Sequence, residues 1–237
     1  MEQKINYEQQ NDPEIQSETN ESDRSEQVEK EFGALFVNYP QLSVCSGDIR
    51  AAYELIKNTC LRGGIIMTCG NGGSASDAGH IVSELMKSFR MKRPVTEKQM
   101  IELIYFFPEE GAYLAKNLHL AIPAISLAGQ SALSTAIMND VAPDMVFAQQ
   151  VFGYGMAGDL LICISTSGNS KNVINACMVA KTFGIETIGM TGEDGGKLRE
   201  ICDITIRVPA CETFRVQEFH LPVYHTLCAM IEIEMFS

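Results

Sequence analysis

The chain has 237 residues, 46% of them hydrophobic, which is enough apolar material for a sizeable core in one large or two small domains. Its 18 basic and 30 acidic side chains give a net charge of −12, which argues against nucleic acid as a ligand. No apolar run approaches the roughly 18 to 20 residues of a membrane span, and the N-terminus has no signal-peptide stretch, so we expect a cytoplasmic globular protein that binds no membrane.

Residues 1–31 form an acidic segment with ten acidic and three basic side chains. Only five of its residues are apolar, too few to offset the entropy that ordering would cost. We therefore expect a leader over residues 1–31 that is disordered or a loosely attached acidic arm, and a folded domain over residues 32–237.

The folded part opens with a predicted helix, strand and glycine-rich loop. Apolar residues recur at three- and four-residue steps from Gly47 to Leu61, which predicts a helix that ends at Gly63–Gly64. Ile65–Cys69 is short and apolar and leads directly into Gly70–Ser74, which is typical of a buried strand that ends in a turn. A helix is then predicted from about residue 76 to 89.

The same order of strand, loop and helix occurs repeatedly along the rest of the chain. Further strands are predicted over residues 124–127, 159–164, 186–191 and 203–209, and a helical segment follows each of them. Five apolar strands alternating with helices predict a parallel α/β sheet that is covered on both faces. Ligands of such sheets bind outside the carboxyl ends of the strands.

Residues 90–121 interrupt this order. They contain two helical pieces, residues 97–107 and 109–120, which are separated by Pro108. We interpret the segment as a helical insertion that serves as a lid or a subunit contact, or that packs on the surface without a further role.

The eight cysteines are scattered, with no C-x-x-C pair, and several lie within apolar runs such as Leu160–Thr166. In a chain of this length the pattern indicates buried free thiols rather than a disulfide framework or a cysteine-ligated metal.

The glycine-rich loop that follows the first strand matches the dinucleotide pattern G-x-G-x-x-G/A over residues 70–75. A nicotinamide site also needs an acidic residue at the end of the second strand, about 20 residues later. Here that strand is delayed and ends in Leu127–Gly129, which argues against a nicotinamide cofactor.

A second loop, residues 165–170, places four hydroxyls and Gly168 between a strand and a helix. Hydroxyls together with the free N–H groups of a helix start can bind an anion such as phosphate, although the loop could also be an ordinary helix cap. The hydroxyl of Ser74 in the first loop favours a phosphorylated small molecule. Absence of the P-loop lysine argues against a nucleoside triphosphatase.

Two helices carry side chains that could share a metal ion or a proton. His80 and Glu84 are four residues apart and therefore lie on one helix face, although such pairs also occur as plain surface interactions. On the C-terminal helix, Gln217 and His225 are separated by about 80 degrees of rotation. These two side chains could converge, but spacing alone does not require it.

These motifs together resemble the phosphoheptose isomerases of the sugar-isomerase (SIS) family. The resemblance covers residues from about 33 to 237, outside the insertion. It is carried by Gly70–Ser74, His80 with Glu84, Asn139–Asp140, Ser165–Ser170, Thr191–Gly192, Gly195–Gly196, Val216–Glu218 and His225. It implies a single SIS domain, a flavodoxin-like three-layer sandwich with an N-terminal helix.

The resemblance also implies an activity. Members of the family convert sedoheptulose 7-phosphate to D-glycero-D-manno-heptose 7-phosphate through an enediol, as homotetramers whose sites combine neighbouring subunits. By this analogy, Glu84 is the catalytic base and His225 the acid/base. A divalent metal, usually zinc, is then held by His80, Glu84, Gln217 and His225. The implied substrate-binding residues are Asn71, Gly72, Ser74, Gln130, Asn139, Asp140, Ser165, Thr166, Ser167, Ser170, Glu212 and Gln217.

The chain departs from the family pattern at three places. Gln130 stands where the family often has aspartate, Glu212 lies near a position that is commonly aspartate, and the insertion at 90–121 has no counterpart in the best-known members. Two alternatives therefore stay open. One is an isomerase of another sugar phosphate, and the other is a non-catalytic SIS module, such as one that binds the DnaA initiator.

Overall fold

The structure is a computed structural model that describes residues 21–237. The helices are α1 Glu21–Asn38, α2 Ser46–Leu61, α3 Gly73–Met86, α4 Glu97–Phe106, α5 Gly111–Asn117, α6 Ser131–Asp140, α7 Val146–Tyr154, α8 Lys171–Thr182, α9 Leu198–Ile201 and α10 Thr213–Phe236. The strands are β1 Ile66–Gly70, β2 Ala124–Ser126, β3 Leu160–Ile164, β4 Glu186–Thr191 and β5 Ile204–Arg207.

The five strands form one parallel sheet in the order β2-β1-β3-β4-β5, which confirms the predicted fold class. This is the flavodoxin-like order, in which the connections leave β1 and β3 toward opposite faces of the sheet. The carboxyl ends of β1 and β3 therefore border the crevice where ligands of this architecture bind. Both predicted polar loops follow these two strands.

Helices cover both faces of the sheet because alternate strand residues point to opposite sides. On β3, Leu160, Ile162 and Ile164 pack into the core beneath α1, α2, α3 and α10. Leu161 and Cys163 pack into the second core, beneath α6, α7, α8 and α9. This arrangement puts the long helix α10 directly against α3, and these two helices carry the predicted metal ligands.

The predicted boundary between leader and folded domain is wrong for residues 21–31, which are helical and belong to α1. Val28 and Leu35 are buried, and Phe32 and Phe36 pack against the same core, so one apolar stripe of the helix crosses the predicted boundary. Arg50 of α2 donates to Glu29 and helps to fix the helix. The predicted disorder of residues 1–20 lies outside the described residues.

The insertion forms the helical hairpin that the sequence predicts, with α4 and α5 on either side of Pro108. Gly111 permits their close approach, since an added Cβ would lie 2.6 Å from the Cα of Ile104. Among the described residues of α4 none is buried, and Tyr105 and Phe106 are 77% and 70% exposed. Residues 21–237 of the single chain therefore leave the apolar surface of this hairpin uncovered.

Two further features complete the fold. Helix α7 lies in a segment for which the sequence analysis predicts no helix. Within residues 21–237, no helix has the length and apolar character to cross a membrane.

Candidate active site

The two polar loops meet at the carboxyl edge of β1 and β3. Gly72, between β1 and α3, has a φ of +55°, a left-handed conformation that favours glycine. The side chains of Asn71 and Asn172 exchange two hydrogen bonds, each of 2.9 Å, although 101 residues separate them. Because Asn172 lies in the first turn of α8, this pair fixes the first loop beside the second.

The second loop is held in place by the chain that follows β4. The backbone N–H of Gly192 donates to the carbonyl of Thr166 over 2.9 Å, and Asn169 accepts from the backbone N–H of Lys197 over 3.0 Å. Gly168, with a φ of +66°, lies so close to the carbonyl of Gly195 that any side chain there would clash. The loop backbone is therefore fixed before any ligand binds.

The hydroxyls of this loop surround the start of α8. Ser165 donates to the hydroxyl of Ser170 over 3.0 Å. Ser170 stands at the N-cap position, yet within the described chain its side chain makes no capping bond, so an ordinary helix cap does not explain it. Hydroxyls and the start of a twelve-residue helix together form a cradle for an anion.

A cluster of His80, Glu84 and His225 lies where α3 packs on α10. The Nε2 atom of His80 is 3.2 Å from Oε1 of Glu84 and 3.4 Å from Nε2 of His225. Helix α3 carries both Ser74 and His80, which the helical rise places about 9 Å apart along the axis. The first polar loop and the cluster are therefore about two helical turns apart on the same helix.

Tyr224 and Asp77 determine the orientation of His80. Nδ1 of His80 is 3.0 Å from the hydroxyl of Tyr224, which donates to Oδ1 of Asp77 over 3.3 Å. Burial, followed by the charge of Asp77, raises the pKa of Tyr224, so the phenol keeps its proton. Because the Tyr224 hydroxyl donates its proton to Asp77, it can only accept a hydrogen bond from His80. We therefore place the His80 proton on Nδ1. The lone pair on Nε2 faces Glu84 and His225.

Glu84 is almost buried, with 7% of its surface exposed. Its Oε2 accepts from Nζ of Lys87 over 3.3 Å, while Oε1 faces His80. His225 packs against the rings of Tyr224 and Phe89, and burial, followed by the nearby His80, lowers its pKa. His225 is therefore neutral near pH 7 and able to accept a proton or a metal ion.

The cluster fits a divalent cation. Nε2 of His80 has two other lone-pair donors close to it, Oε1 of Glu84 at 3.2 Å and Nε2 of His225 at 3.4 Å, and a cation bound beside it would stabilise this arrangement. Neighbouring ligands of a tetrahedral zinc ion lie roughly 3.3 to 3.5 Å apart, and the two separations from His80, 3.2 and 3.4 Å, are close to this spacing. The bond from Nδ1 of His80 to Tyr224 is the kind of outer contact that orients metal-bound histidines.

Gln217 lies beside the first loop. A Cβ added at Gly73 would come within 2.9 Å of its side-chain Cδ, so the carboxamide is pressed against the start of α3. This position is at the loop end of α3, seven residues before His80. Its assignment as a fourth metal ligand stays a prediction.

Four other predicted substrate contacts lie on separate elements. Gln130 is half-buried directly before α6, and Glu212 is exposed directly before α10. Asn139 and Asp140 are exposed at the end of α6, where Asn139 donates to Asp140 over 2.6 Å. The roles of these four residues stay predictions.

The sequence analysis missed four residues that shape the site: Asp77, Lys87, Asn172 and Tyr224. A signal for two of them was present, since Asp77 precedes His80 by one helical turn and Tyr224 adjoins His225. Lys87 follows Glu84 by three residues. Nothing local marks Asn172, because its partner Asn71 lies 101 residues away.

The model of the SIS domain family matches residues 43–103 and 100–192 of this chain. The chain is 41% identical over 186 residues to the phosphoheptose isomerase of Aliarcobacter butzleri, covering 78% of this chain and 82% of that protein. It is 32% identical over 213 residues to the phosphoheptose isomerase of Akkermansia muciniphila, covering 90% and 99%. Both alignments span most of each chain.

The fold is also similar to solved structures. A phosphoheptose isomerase from Neisseria gonorrhoeae superposes with a TM-score of 0.66 at 31% identity, covering 88% of this chain and 98% of that one. One from Francisella tularensis gives a TM-score of 0.66 at 29% identity, covering 84% and 95%.

Proposed function

The chain belongs to the phosphoheptose isomerases of the SIS-domain family, and we propose that it converts sedoheptulose 7-phosphate to D-glycero-D-manno-heptose 7-phosphate. That the chain is a sugar-phosphate isomerase follows from its family. The observation that carries the finer proposal is the convergence of His80, Glu84 and His225 beside the hydroxyl-lined loops.

Ketose and aldose differ by the position of two hydrogens on adjacent carbons. The reaction removes a proton from one carbon, passes through an enediol, and returns the proton to the neighbouring carbon. We assign the transfer between carbons to Glu84, because its carboxylate lies in a nearly buried position where water competes little for the proton. Lys87 holds the other carboxylate oxygen and fixes the direction of Oε1.

Protons must also move between the two substrate oxygens. We assign this step to His225, because its lowered pKa leaves the ring neutral at pH 7 and able to accept and return a proton. The ring is held against Phe89 and Tyr224, so both ring nitrogens keep their positions, with Nε2 toward His80 as the proposed metal ligand and Nδ1 left for the proton exchange.

The substrate phosphate is assigned to the cradle of Ser165, Thr166, Ser167 and Ser170, with Asn71, Gly72 and Ser74 from the first loop. The loop is held by bonds to Gly192 and Lys197 and therefore needs no rearrangement to receive an anion. Anchoring the phosphate at one end places the reacting carbons toward His80 and Glu84 on the same helix.

We propose zinc as the metal, held by His80, Glu84 and His225 with Gln217 as the fourth ligand. A bound divalent ion supplies Lewis-acid polarisation of the substrate carbonyl. Because glutamine is an uncommon zinc ligand, an exchangeable metal of modest affinity is expected. Tyr224 and Asp77 keep His80 in the tautomer that such a site requires.

We also propose that the enzyme is a cytoplasmic homotetramer whose sites combine neighbouring subunits. The uncovered apolar surface of the α4–α5 hairpin supports assembly. Gln130 keeps open a second candidate, an isomerase of another sugar phosphate, because it stands after β2 at a position where the family often has aspartate. The three-residue cluster favours an enzyme over the DnaA-binding alternative.

The proposal is tested by metal analysis of the purified chain and by an isomerase assay with sedoheptulose 7-phosphate. We expect about one zinc per chain and formation of the aldose product. A metal-loaded protein that leaves this ketose unchanged but isomerises a shorter sugar phosphate would favour the second candidate. A protein that binds the sugar phosphate without converting any sugar would favour the non-catalytic module.

A further inference from the structure

We propose that Cys163, Cys177 and Cys202 form a second metal site, selective for a soft, thiophilic d10 ion such as Cu(I) or Cd(II). The site lies beneath α8, on the sheet face opposite to α3 and α10. The active-site cluster offers nitrogen and oxygen atoms, whereas this one offers sulfur alone. The two sites therefore differ in the ions that they prefer.

The sheet register brings the cysteines together. Cys163 on β3 pairs with Cys69 on β1 and with Gly189 on β4, so the three residues form one row across the sheet. Cys202 fills the space above Gly189, where an added Cβ would lie 3.2 Å from its Sγ. The glycine thus leaves room for a thiol that comes from the segment after α9.

The sulfur atoms have the spacing of metal ligands. The Sγ atoms of Cys163, Cys177 and Cys202 all lie within 4.8 Å of one another, and those of Cys177 and Cys202 are 3.5 Å apart. At a metal–sulfur distance of about 2.3 Å, ligands of one ion lie roughly 3.8 to 4.0 Å apart. Shifts of less than about 1 Å therefore bring the three thiols around one ion.

Polar groups beside the thiols suit a charged site. Lys181 follows Cys177 by one helical turn and pairs with Asp203, the residue after Cys202. Its ammonium group therefore lies beside the segment that carries Cys202. The backbone N–H and the hydroxyl of Thr187 donate to Asp203 over 2.9 and 2.8 Å, which fixes the segment that carries Cys202. Such outer contacts orient metal ligands.

The number of ligands favours a soft ion. When the three thiols bind a metal, each gives its proton to solvent, and the three thiolates leave a net charge of −1 around a divalent ion, or −2 around a monovalent one. Cys163 and Cys177 are fully buried, so water has little access as a further ligand, and three-coordinate sulfur sites suit d10 ions.

The test uses the full chain, stripped of metal and kept reduced, and titrates it with Cd²⁺ while recording the ultraviolet thiolate-to-cadmium charge-transfer band. We expect the band to saturate with one equivalent of bound Cd²⁺. Cys177→Ser and Cys202→Ser should abolish it, whereas Cys60→Ser and Cys228→Ser, buried thiols of the other core, should leave it unchanged. Cadmium at the histidine cluster gives no sulfur band, so the readout does not depend on the isomerase site.

A second measurement needs no variant and therefore does not depend on whether the variants fold. The cadmium-113 resonance of the wild-type complex should lie in the downfield range of sulfur ligation. Absence of a sulfur-ligated resonance and of the absorption band would overturn the proposal. So would a band that persists at full intensity in both folded serine variants.

Discussion

The Nε2 atoms of His80 and His225 lie 3.4 Å apart, although 145 residues separate the two histidines along the chain. Both nitrogens can accept a proton or a metal ion, and Oε1 of Glu84 lies 3.2 Å from Nε2 of His80. The contact exists because α10 packs across α3, so the packing of these two helices in the first core also assembles the chemistry. Changes that loosen this packing should therefore affect activity before they unfold the protein.

Replacing Glu84 with glutamine should lower kcat by about 10² to 10⁴-fold, since the neutral amide cannot take the substrate proton. Glutamine has the same shape, so the circular-dichroism spectrum and melting temperature should stay close to wild type. Glu200→Gln, at an exposed position on α9, is the matched control and should keep full activity. Turnover of Glu84→Gln within twofold of wild type would remove Glu84 as the base.

Tyr224→Phe should weaken zinc binding by about 10 to 100-fold, because the hydroxyl that orients His80 is lost while the ring remains. Competition with a chromophoric chelator measures the affinity directly. Tyr53→Phe is a close control, since Tyr53 is also buried and also donates its hydroxyl to a carboxylate, that of Glu234. Equal zinc affinity in both variants would show that Tyr224 plays no part in orienting His80.

The ion pair of Arg93 and Glu232 connects α10 to the end of α3. Their side chains are almost completely buried, and Nε of Arg93 is 2.6 Å from Oε1 of Glu232. Arg93 also donates to the backbone carbonyls of Leu85 and Glu84, so it holds the turn that carries the proposed base.

Glu232→Gln should therefore lower the free energy of unfolding by about 3 to 5 kcal/mol, because it leaves the guanidinium buried without a counter-charge. Urea denaturation followed by circular dichroism measures the change. The exposed pair of Arg215 and Glu218 provides the control, and Glu218→Gln should leave the urea midpoint unchanged. A midpoint for Glu232→Gln equal to that of the control would contradict the assigned role.

The sheet could be predicted from the sequence because its strands are short apolar runs that end in glycine or serine loops. The sequence also predicted both site loops and the pairing of His80 with Glu84, since these depend on local spacing. Helix α7 was missed because its N-cap residue, Met145, makes no side-chain capping bond and its apolar residues show little periodicity. The start of α1 was missed because its many charged residues suggested disorder, although Val28 and Leu35 form one apolar stripe that packs into the core.

The remaining features depend on long-range register. The bonds between Asn71 and Asn172, and the convergence of Cys163, Cys177 and Cys202, arise only once strands pair and helices dock. Scattered cysteines with no C-x-x-C spacing gave no sign of this cluster. A sequence pattern predicts contacts between distant residues only when resemblance to a known family supplies the spatial arrangement.

His220 should make the protein less stable in acid. It is completely buried, its Nδ1 has no hydrogen-bond partner among the described residues, and its Nε2 faces the carbonyl of Thr191 over 3.3 Å. Burial lowers the pKa of His220 to about 4, against an ordinary value of 6.5. Between pH 6.5 and 4 the unfolded chain therefore binds a proton that the folded chain does not bind.

Stability should accordingly fall as the pH drops through this range, by roughly 1 kcal/mol for each pH unit. His220→Gln keeps a donor that can reach Thr191 but cannot titrate, so its free energy of unfolding should decline less steeply over the same range. Urea titrations of both proteins between pH 7 and pH 4.5 measure the two slopes. Parallel slopes would show that His220 does not govern the acid sensitivity, since a neutral buried imidazole must contribute a difference between them.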